Sequence, residues 1–257
     1  MTKPVIKWLD IETAPRVAYV WDFFKANISP KQVLDHGRIM SYVAVDDKDN
    51  VTGAYCAEDD DRAITELLVQ ELDEADFIVG HNLEKFDRGT INGRAAIYGI
   101  KPPSPYKVID TYKIAKKEFN FPSNSLEYLC NVFDVEHKKK DHAKYPGWSL
   151  WIECLKNNEE AIQEMMDYNE HDVLAVRDLY YKMLPYISNH PNTGIYMERE
   201  DHSCPKCGSG HLHSRGYAYT NTGKYQKFQC QDCGGWSRTR FTEYDKHKGK
   251  VLLVNAV

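Results

Sequence analysis

The sequence predicts a mixed α/β domain, a sheet flanked by helices, followed by a small cysteine-rich β module. Three observations lead there. Strand-like segments come first, and helix and strand patterns then alternate to about residue 187. Two Cys-x-x-Cys pairs fall within the last 55 or so residues. Charge divides in the same place: from His202 onward nine Lys/Arg meet three Asp/Glu, a balance of +6, while residues 1–201 carry 24 basic against 35 acidic side chains, a balance of −11. We therefore expect one domain over residues 1–190 and a linker plus module over 191–257. With 257 residues and 42% hydrophobic content, a sizeable core is available. A mean hydropathy of −0.60 without a long apolar run excludes a transmembrane helix. The polar start MTKPVIKWLD lacks a signal-peptide core, so the chain reads as soluble and cytoplasmic.

In chain order, residues 5–9 form an apolar strand pattern that runs into Asp10-Ile11-Glu12 and stops at Thr13-Ala14-Pro15. Residues 39–45 and 51–55, joined by the turn DDKDN, extend it into an antiparallel meander. Residues 61–74 have helical spacing through Ile64, Leu67, Leu68 and Leu72, and 77–79 make a short buried strand. A helix over 83–98, a strand over 107–109 and helices over 111–117 and 125–133 follow, the last with Ser125 as N-cap. Residues 136–148 read as a polar, basic loop, and 159–183 as a long helix closed by Pro185. A linker begins near 188–191.

Asp10 and Glu12 are two apart, so on a strand both leave the same face, about 7 Å from each other. Such a pair is reconciled by an oxygen-preferring cation such as Mg²⁺ or Mn²⁺, or by simple solvation of a strand end. In Asn82-Leu83-Glu84-Lys85-Phe86-Asp87 a carboxylate comes early in the next helix, near the carboxyl end of the sheet where α/β sites lie. Alone, Asp87 suits the helix macrodipole equally well. Tyr168 and Asp172 are one helical turn apart and share a face near core positions such as Met165, Val173 and Val176. Taken singly, Tyr168 is a half-buried core aromatic and Asp172 a surface charge.

Jointly, these segments resemble the DEDD exonuclease superfamily: Asp-x-Glu on the first strand (Asp10, Glu12), Asn-x-x-x-Phe-Asp after a later strand (Asn82, Phe86, Asp87), and Tyr-x-x-x-Asp on a late helix (Tyr168, Asp172). The resemblance covers about residues 4–187 and includes Val108-Ile109-Asp110-Thr111. A tyrosine four residues before the last aspartate, with Asp167 rather than histidine at five, matches the DEDDy branch. His171 points about 100° from Asp172 and reads as a neighbour of the site. The resemblance implies a ribonuclease-H-like fold that hydrolyses phosphodiester bonds from a 3′ end to nucleoside 5′-monophosphates. It implies two Mg²⁺ or Mn²⁺ ions about 3.5–4 Å apart, with Asp10 bridging them, Glu12 and Asp172 on the ion that generates hydroxide, Asp87 on the other, and Tyr168 orienting the attacking water. Asn82 suits positioning of substrate or its own loop, and Phe86 suits core packing rather than base stacking; both are carried as substrate-side candidates. Asp110 is a secondary candidate read as structural. Lys138, Lys139, Lys140 and Lys144 are candidates for phosphate contact, or a solvated surface.

Cys204-Pro205-Lys206-Cys207 and Cys230-Gln231-Asp232-Cys233 are two knuckles with 22 residues between them, slightly long for a zinc ribbon but tolerable in its tip. Four thiolates make a closed structural Zn²⁺ site. Cys56, Cys130 and Cys154 read as small buried hydrophobes. Arg215, Tyr217, Tyr219, Lys224, Tyr225, Lys227, Phe228, Trp236, Arg238 and Arg240 interleave basic and aromatic residues, which suits nucleic acid, with Arg238 and Arg240 as substrate-side candidates. The alternative is a ribbon that packs on its own chain or on another protein. The expected activity is thus a metal-dependent 3′-to-5′ exonuclease, DNA favoured, acting alone or beside a separate polymerase or replication protein. Stand-alone forms of this kind resemble phage or bacterial proteins, placing a phage-encoded chain in the host cytoplasm. An RNA-trimming exoribonuclease, a catalytically silent zinc-ribbon binding protein and an endonuclease are the alternatives.

Overall fold

The computed structural model describes residues 3–22, 24, 26–57, 59–138, 144–244 and 246–254. Val5–Tyr180 form one compact unit, and a second lies mainly C-terminal to it, from Tyr181 onward.

The first unit is built on a mixed five-stranded sheet. Its strands are β1 (Ile6–Thr13), β4 (Ile39–Asp46), β5 (Val51–Tyr55), β6 (Phe77–Gly80) and β7 (Lys107–Asp110), in the order β5-β4-β1-β6-β7. Two short strands, β2 (Val17–Ala18) and β3 (Val33–Asp35), form a separate ribbon that the sequence pattern does not announce. β1, β4 and β5 are antiparallel as expected, while β1, β6 and β7 are parallel. The expected strand over 5–9 continues through both acids to Thr13, because β4 pairs with it from Lys7↔Asp46 to Thr13↔Ile39.

Helices cover both faces. Those of this unit are α1 (Arg62–Asp73), α2 (Asp87–Tyr98), α3 (Thr111–Glu118), α4 (Leu126–Val132), α5 (Ser149–Leu155) and α6 (Glu159–Met183), the last of which runs into the second unit. Alternation along β1 assigns the faces. Leu9 and Ile11 pack in one core with Ile64, Leu68 and Leu72 of α1 and Ile91 of α2. Trp8, on the other face, meets Tyr180 of α6 edge-on at 5.9 Å. A second core joins Met40 to Leu150 and Cys154 of α5 and Ala161 and Met165 of α6. Ser125 caps α4 as expected, its Oγ accepting from the Tyr128 N–H at 3.4 Å. Cys130 and Cys154 are fully buried, whereas Cys56 is only partly so.

One expectation needs correction. The helix expected over 83–98 starts at Asp87: Asn82 adopts a left-handed conformation (φ 61°) and residues 83–86 form a turn. Gly80 is required just before it, since a Cβ there would lie 2.3 Å from Leu83 Cδ1. The sequence pattern also leaves 149–158 unassigned, where α5 begins at Ser149 and contributes Leu150 and Cys154 to the core. Asp61, completely buried before α1, accepts from the Ile39 N–H and from Arg94 and Tyr98, tying β4 to α2. Burial alone would raise its carboxyl, but those donors hold it below the usual range.

The second unit contains a three-stranded antiparallel sheet, β10-β9-β8, from β8 (Leu212–Tyr219), β9 (Lys224–Cys230) and β10 (Trp236–Arg238), followed by α7 (Lys246–Val251).

Candidate functional site

β6 pairs with β1 only from Ile6↔Phe77 to Trp8↔Val79, so β1 outruns its parallel neighbour by several residues. Beyond that point the Ile11 N–H donates to Asp87 Oδ1 at 3.2 Å. A backbone donor that a longer β6 would occupy thus docks the carboxylate at the start of α2 onto β1, between Asp10 and Glu12. Asp87 is 2% exposed. Burial pushes its carboxyl up to about 7, against the N–H donors of Asp87 and Ile11 and with help from the charge of Asp110.

α6 reaches the same strand from its other side. Asn169, completely buried, donates Nδ2 to Asp10 Oδ2 at 2.7 Å, and its Oδ1 accepts from Ser41 Oγ of β4 at 3.5 Å. Asp172, 5% exposed, follows three residues later and shares the Asn169 face of α6. The Tyr168 ring meets Trp151 of α5 edge-on at 6.3 Å. Trp151 and Trp148 in turn line a cleft of about 350 Å³ with Glu12, Thr13 and Pro15. Two motif segments are thus joined to the C-terminal half of β1, which carries the third: α2 by the Ile11–Asp87 hydrogen bond and α6 by the Asn169–Asp10 hydrogen bond, with the Tyr168 ring against the tryptophan wall beside Glu12. Asn169 and Trp151 escape sequence reading. A buried helix asparagine breaks no periodicity, and its only signal is its place between Tyr168 and Asp172.

The remaining candidates separate by environment. Asp110 accepts from the N–H groups of Asn82 (3.0 Å) and Glu84 (3.2 Å) and caps α3 through Tyr112 (3.0 Å) and Lys113 (3.3 Å), so it is structural, as expected. Asn82 supplies the left-handed turn before α2. Phe86 does not pack in the core: it is 44% exposed, because the late start of α2 turns it outward. His171 contacts the Lys138 carbonyl and the His137 ring, and His137 pairs with Asp178 at 2.9 Å. Lys138 pairs with Asp134 at 2.8 Å and Lys144 with Glu160. Lys139 and Lys140 lie outside the described residues.

Beside the acids opens a groove of about 660 Å³ whose rim includes Thr13, Arg16, His36, Lys85 and Phe86, with Arg38 and Arg94 deeper. Among the described residues no Asp or Glu lines it, although this part of the chain is strongly acidic. Arg38 is 8% exposed and its Nε finds no hydrogen-bond partner among the described residues. Gly89 and Gly93 leave the α2 wall open, since a Cβ at either would meet nothing within 4 Å.

In the second unit Cys204, Cys207, Cys230 and Cys233 bring their sulfurs within 4.8 Å of one another. The Cys204–Cys233 and Cys207–Cys230 separations are each 3.6 Å, far beyond a disulfide bond and near the roughly 3.8 Å edge of a tetrahedral thiolate site with metal–sulfur bonds of about 2.3 Å. Both knuckles repeat one design. The N–H of Gly208 donates to the Cys204 carbonyl at 2.9 Å and that of Gly234 to the Cys230 carbonyl at 3.1 Å, each glycine at φ 74°. The Cys207 thiol and the Lys206 and Cys207 N–H groups hold the Cys204 thiol down to about 5, while burial and the neighbouring Cys204 sulfur raise Cys233 to about 11.

Among the described residues no other group brings three ligand atoms so close, so the carboxylates are spaced more widely than a single ion requires. Their chemistry nevertheless fits hard divalent cations. The donors are all oxygen, two of the four acids are buried, and metal-free carboxylates repel one another.

Among the described residues no helix is long and apolar enough to cross a membrane. No curated protein matches the chain. Solved structures that match include the family B DNA polymerase from the hyperthermophilic archaeon Pyrobaculum calidifontis, 18% identical with a TM-score of 0.53 over 72% of this chain and 25% of the polymerase. The chain thus spans about a quarter of that polymerase's length, and the likeness is one of fold. Residues 31–184, more than half of the sequence, match the model of the RNase_H superfamily, and the chain belongs to that superfamily.

Proposed function

We propose that the chain is a metal-dependent 3′-to-5′ exonuclease of the DEDDy type. One observation carries the reading: Asp87 of α2 accepts from the Ile11 N–H of β1, and Asn169, three residues before Asp172 on α6, donates to Asp10 of the same strand. Asp10, Glu12, Asp87 and Asp172 would hold two Mg²⁺ or Mn²⁺ ions, whose positive charge stabilises the attacking and leaving oxygens of an in-line displacement at phosphorus. Asn169 fixes the rotamer of Asp10, and Tyr168, steadied by Trp151, orients the attacking water through its hydroxyl. The groove bearing Arg16, Arg38 and Lys85 offers the strand a cationic approach, with exposed Phe86 available to a base. The four cysteines hold one structural Zn²⁺. A fold shared with part of a DNA polymerase chain supports DNA as substrate, and a separate polymerase or replication protein as partner.

The test is a 5′-labelled single strand of DNA, its RNA counterpart and a mismatched duplex, each with Mg²⁺ and with EDTA. We expect a ladder shortening from the 3′ end, stronger on DNA and absent with EDTA, and slowed about tenfold in Tyr168→Phe, within the range for a positioned proton-handling group. Cleavage of closed circular DNA, or a ladder unaffected by EDTA, overturns the proposal. Faster shortening of RNA than of DNA assigns the site to RNA trimming.

A further inference from the structure

The three strands of the second unit contain Arg215, Lys224, Lys227 and Arg238 and no Asp or Glu. Strand register sorts their side chains. Trp236 lies opposite Gln229, and Arg238 opposite Lys227, so Trp236, Arg238, Tyr225, Lys227 and Gln229 share one face, joined by His213 opposite Gln229. The other face is partly occupied by its own chain: Phe228 sits 5.3 Å from the His202 ring.

On the first face, cations and rings alternate. The Arg238 guanidinium lies 3.9 Å from the centroid of Tyr225, and Lys227 Nζ lies 5.1 Å from that of Trp236. Arg238 is exposed and Trp236 is 49% exposed. A cation held by an aromatic ring is positioned without being neutralised, so its charge remains available to an incoming anion. The Arg238 guanidinium stays exposed while held over Tyr225, so an unstacked base can lie on its planar face. An acidic peptide would answer the charge but not the two flat surfaces, and a duplex hides its base faces within its own stack.

We propose that the Tyr225, Lys227, Trp236 and Arg238 face binds single-stranded nucleic acid, stacking bases on Trp236 and on the Arg238 guanidinium and drawing phosphate to Lys227. The inference extends the nuclease reading without resting on it, because binding is measured where no hydrolysis occurs.

The experiment uses the full chain and a labelled 12-nucleotide oligodeoxythymidylate, followed by fluorescence anisotropy without added divalent cation. Bound zinc is measured in every variant. Trp236→Ala and Arg238→Ala are each expected to weaken binding about tenfold, the loss typical of one base–aromatic stack. Lys227→Gln should weaken it a few-fold and reduce the slope of log affinity against log salt by about 0.7. Trp236→Phe keeps a stacking ring, and Arg238→Lys keeps the charge without the plane. We expect the first to stay within about threefold of the unsubstituted chain and the second to lose more, a contrast that holds the test open if Trp236→Ala disturbs the fold. Tyr217→Ala, on the opposite face, should change affinity less than twofold. Unaltered binding in both Trp236→Ala and Arg238→Ala, or an equal loss in Tyr217→Ala, overturns the inference. Failure of Mg²⁺-dependent hydrolysis with this binding intact would instead remove the nuclease reading alone.

Discussion

The carboxylate site on β1 and the four-cysteine cluster differ in how far their ligand atoms are assembled before any ion arrives. The four sulfurs already lie within 4.8 Å of one another, each knuckle shaped by its own backbone hydrogen bonds and a left-handed glycine. The carboxylates come from β1, α2 and α6, with Ile11 holding Asp87 and Asn169 holding Asp10 across elements, and no three of them lie as close. In the proposed reading, one is a closed site that a metal would complete as structure. The other would keep acids in a partly buried place, at a cost in stability, and leave room for substrate. Local sequence builds the first, while tertiary packing builds the second.

Four perturbations can break or sharpen that contrast. Cys230→Ser should act on structure alone. It is expected to release one equivalent of zinc and unfold the ribbon, for which metal binding supplies on the order of 10 kcal/mol, while hydrolysis of short substrates continues; metal analysis with a trinucleotide assay reads both. Asp10→Ala should do the reverse, lowering kcat about 10³-fold or more, some 4 kcal/mol, with unchanged zinc content and thermal unfolding.

The third concerns the cost of the acids. Because the folded Asp87 carboxyl is raised to about 7, well above the usual carboxylate range, the group favours folding at low pH, and that contribution is lost as pH rises through about 7. Asp87→Asn removes the ionisable group. The metal-free variant should therefore outlast the parent in urea unfolding at pH 8 by a few kcal/mol, about 1.4 per pKa unit, and the difference should shrink towards pH 4. A gap independent of pH would mean that Asp87 is not held protonated. The fourth and smallest, Asn169→Ala, frees Asp10 and is expected to lower kcat and Mg²⁺ affinity 10- to 100-fold, as for other groups that orient a metal ligand, as seen in Mg²⁺ titrations of the rate.

Much of the fold follows from pattern. Alternation marks β1, the apolar run marks β6, and helical spacing marks α1 and α6, because each buries one side against a core. The acids are readable as motifs because they are widely separated in sequence yet regularly spaced within each segment. What sequence does not disclose are features fixed by tertiary contact. The start of α2 depends on a left-handed Asn82 and on Gly80 yielding to Leu83, neither of which disturbs the helical pattern of 83–98. α5 follows a polar loop too closely to stand out. The buried Asp61–Arg94 clasp and the Asn169 bridge use polar side chains where pattern expects apolar ones.

The early end of β6 has a further consequence for anyone engineering this protein. Lengthening that strand by two or three residues would satisfy the Ile11 amide within the sheet and give a more regular, sturdier scaffold. It would also evict the Asp87 carboxylate from its socket, so a redesign judged only by thermal tolerance would select against activity.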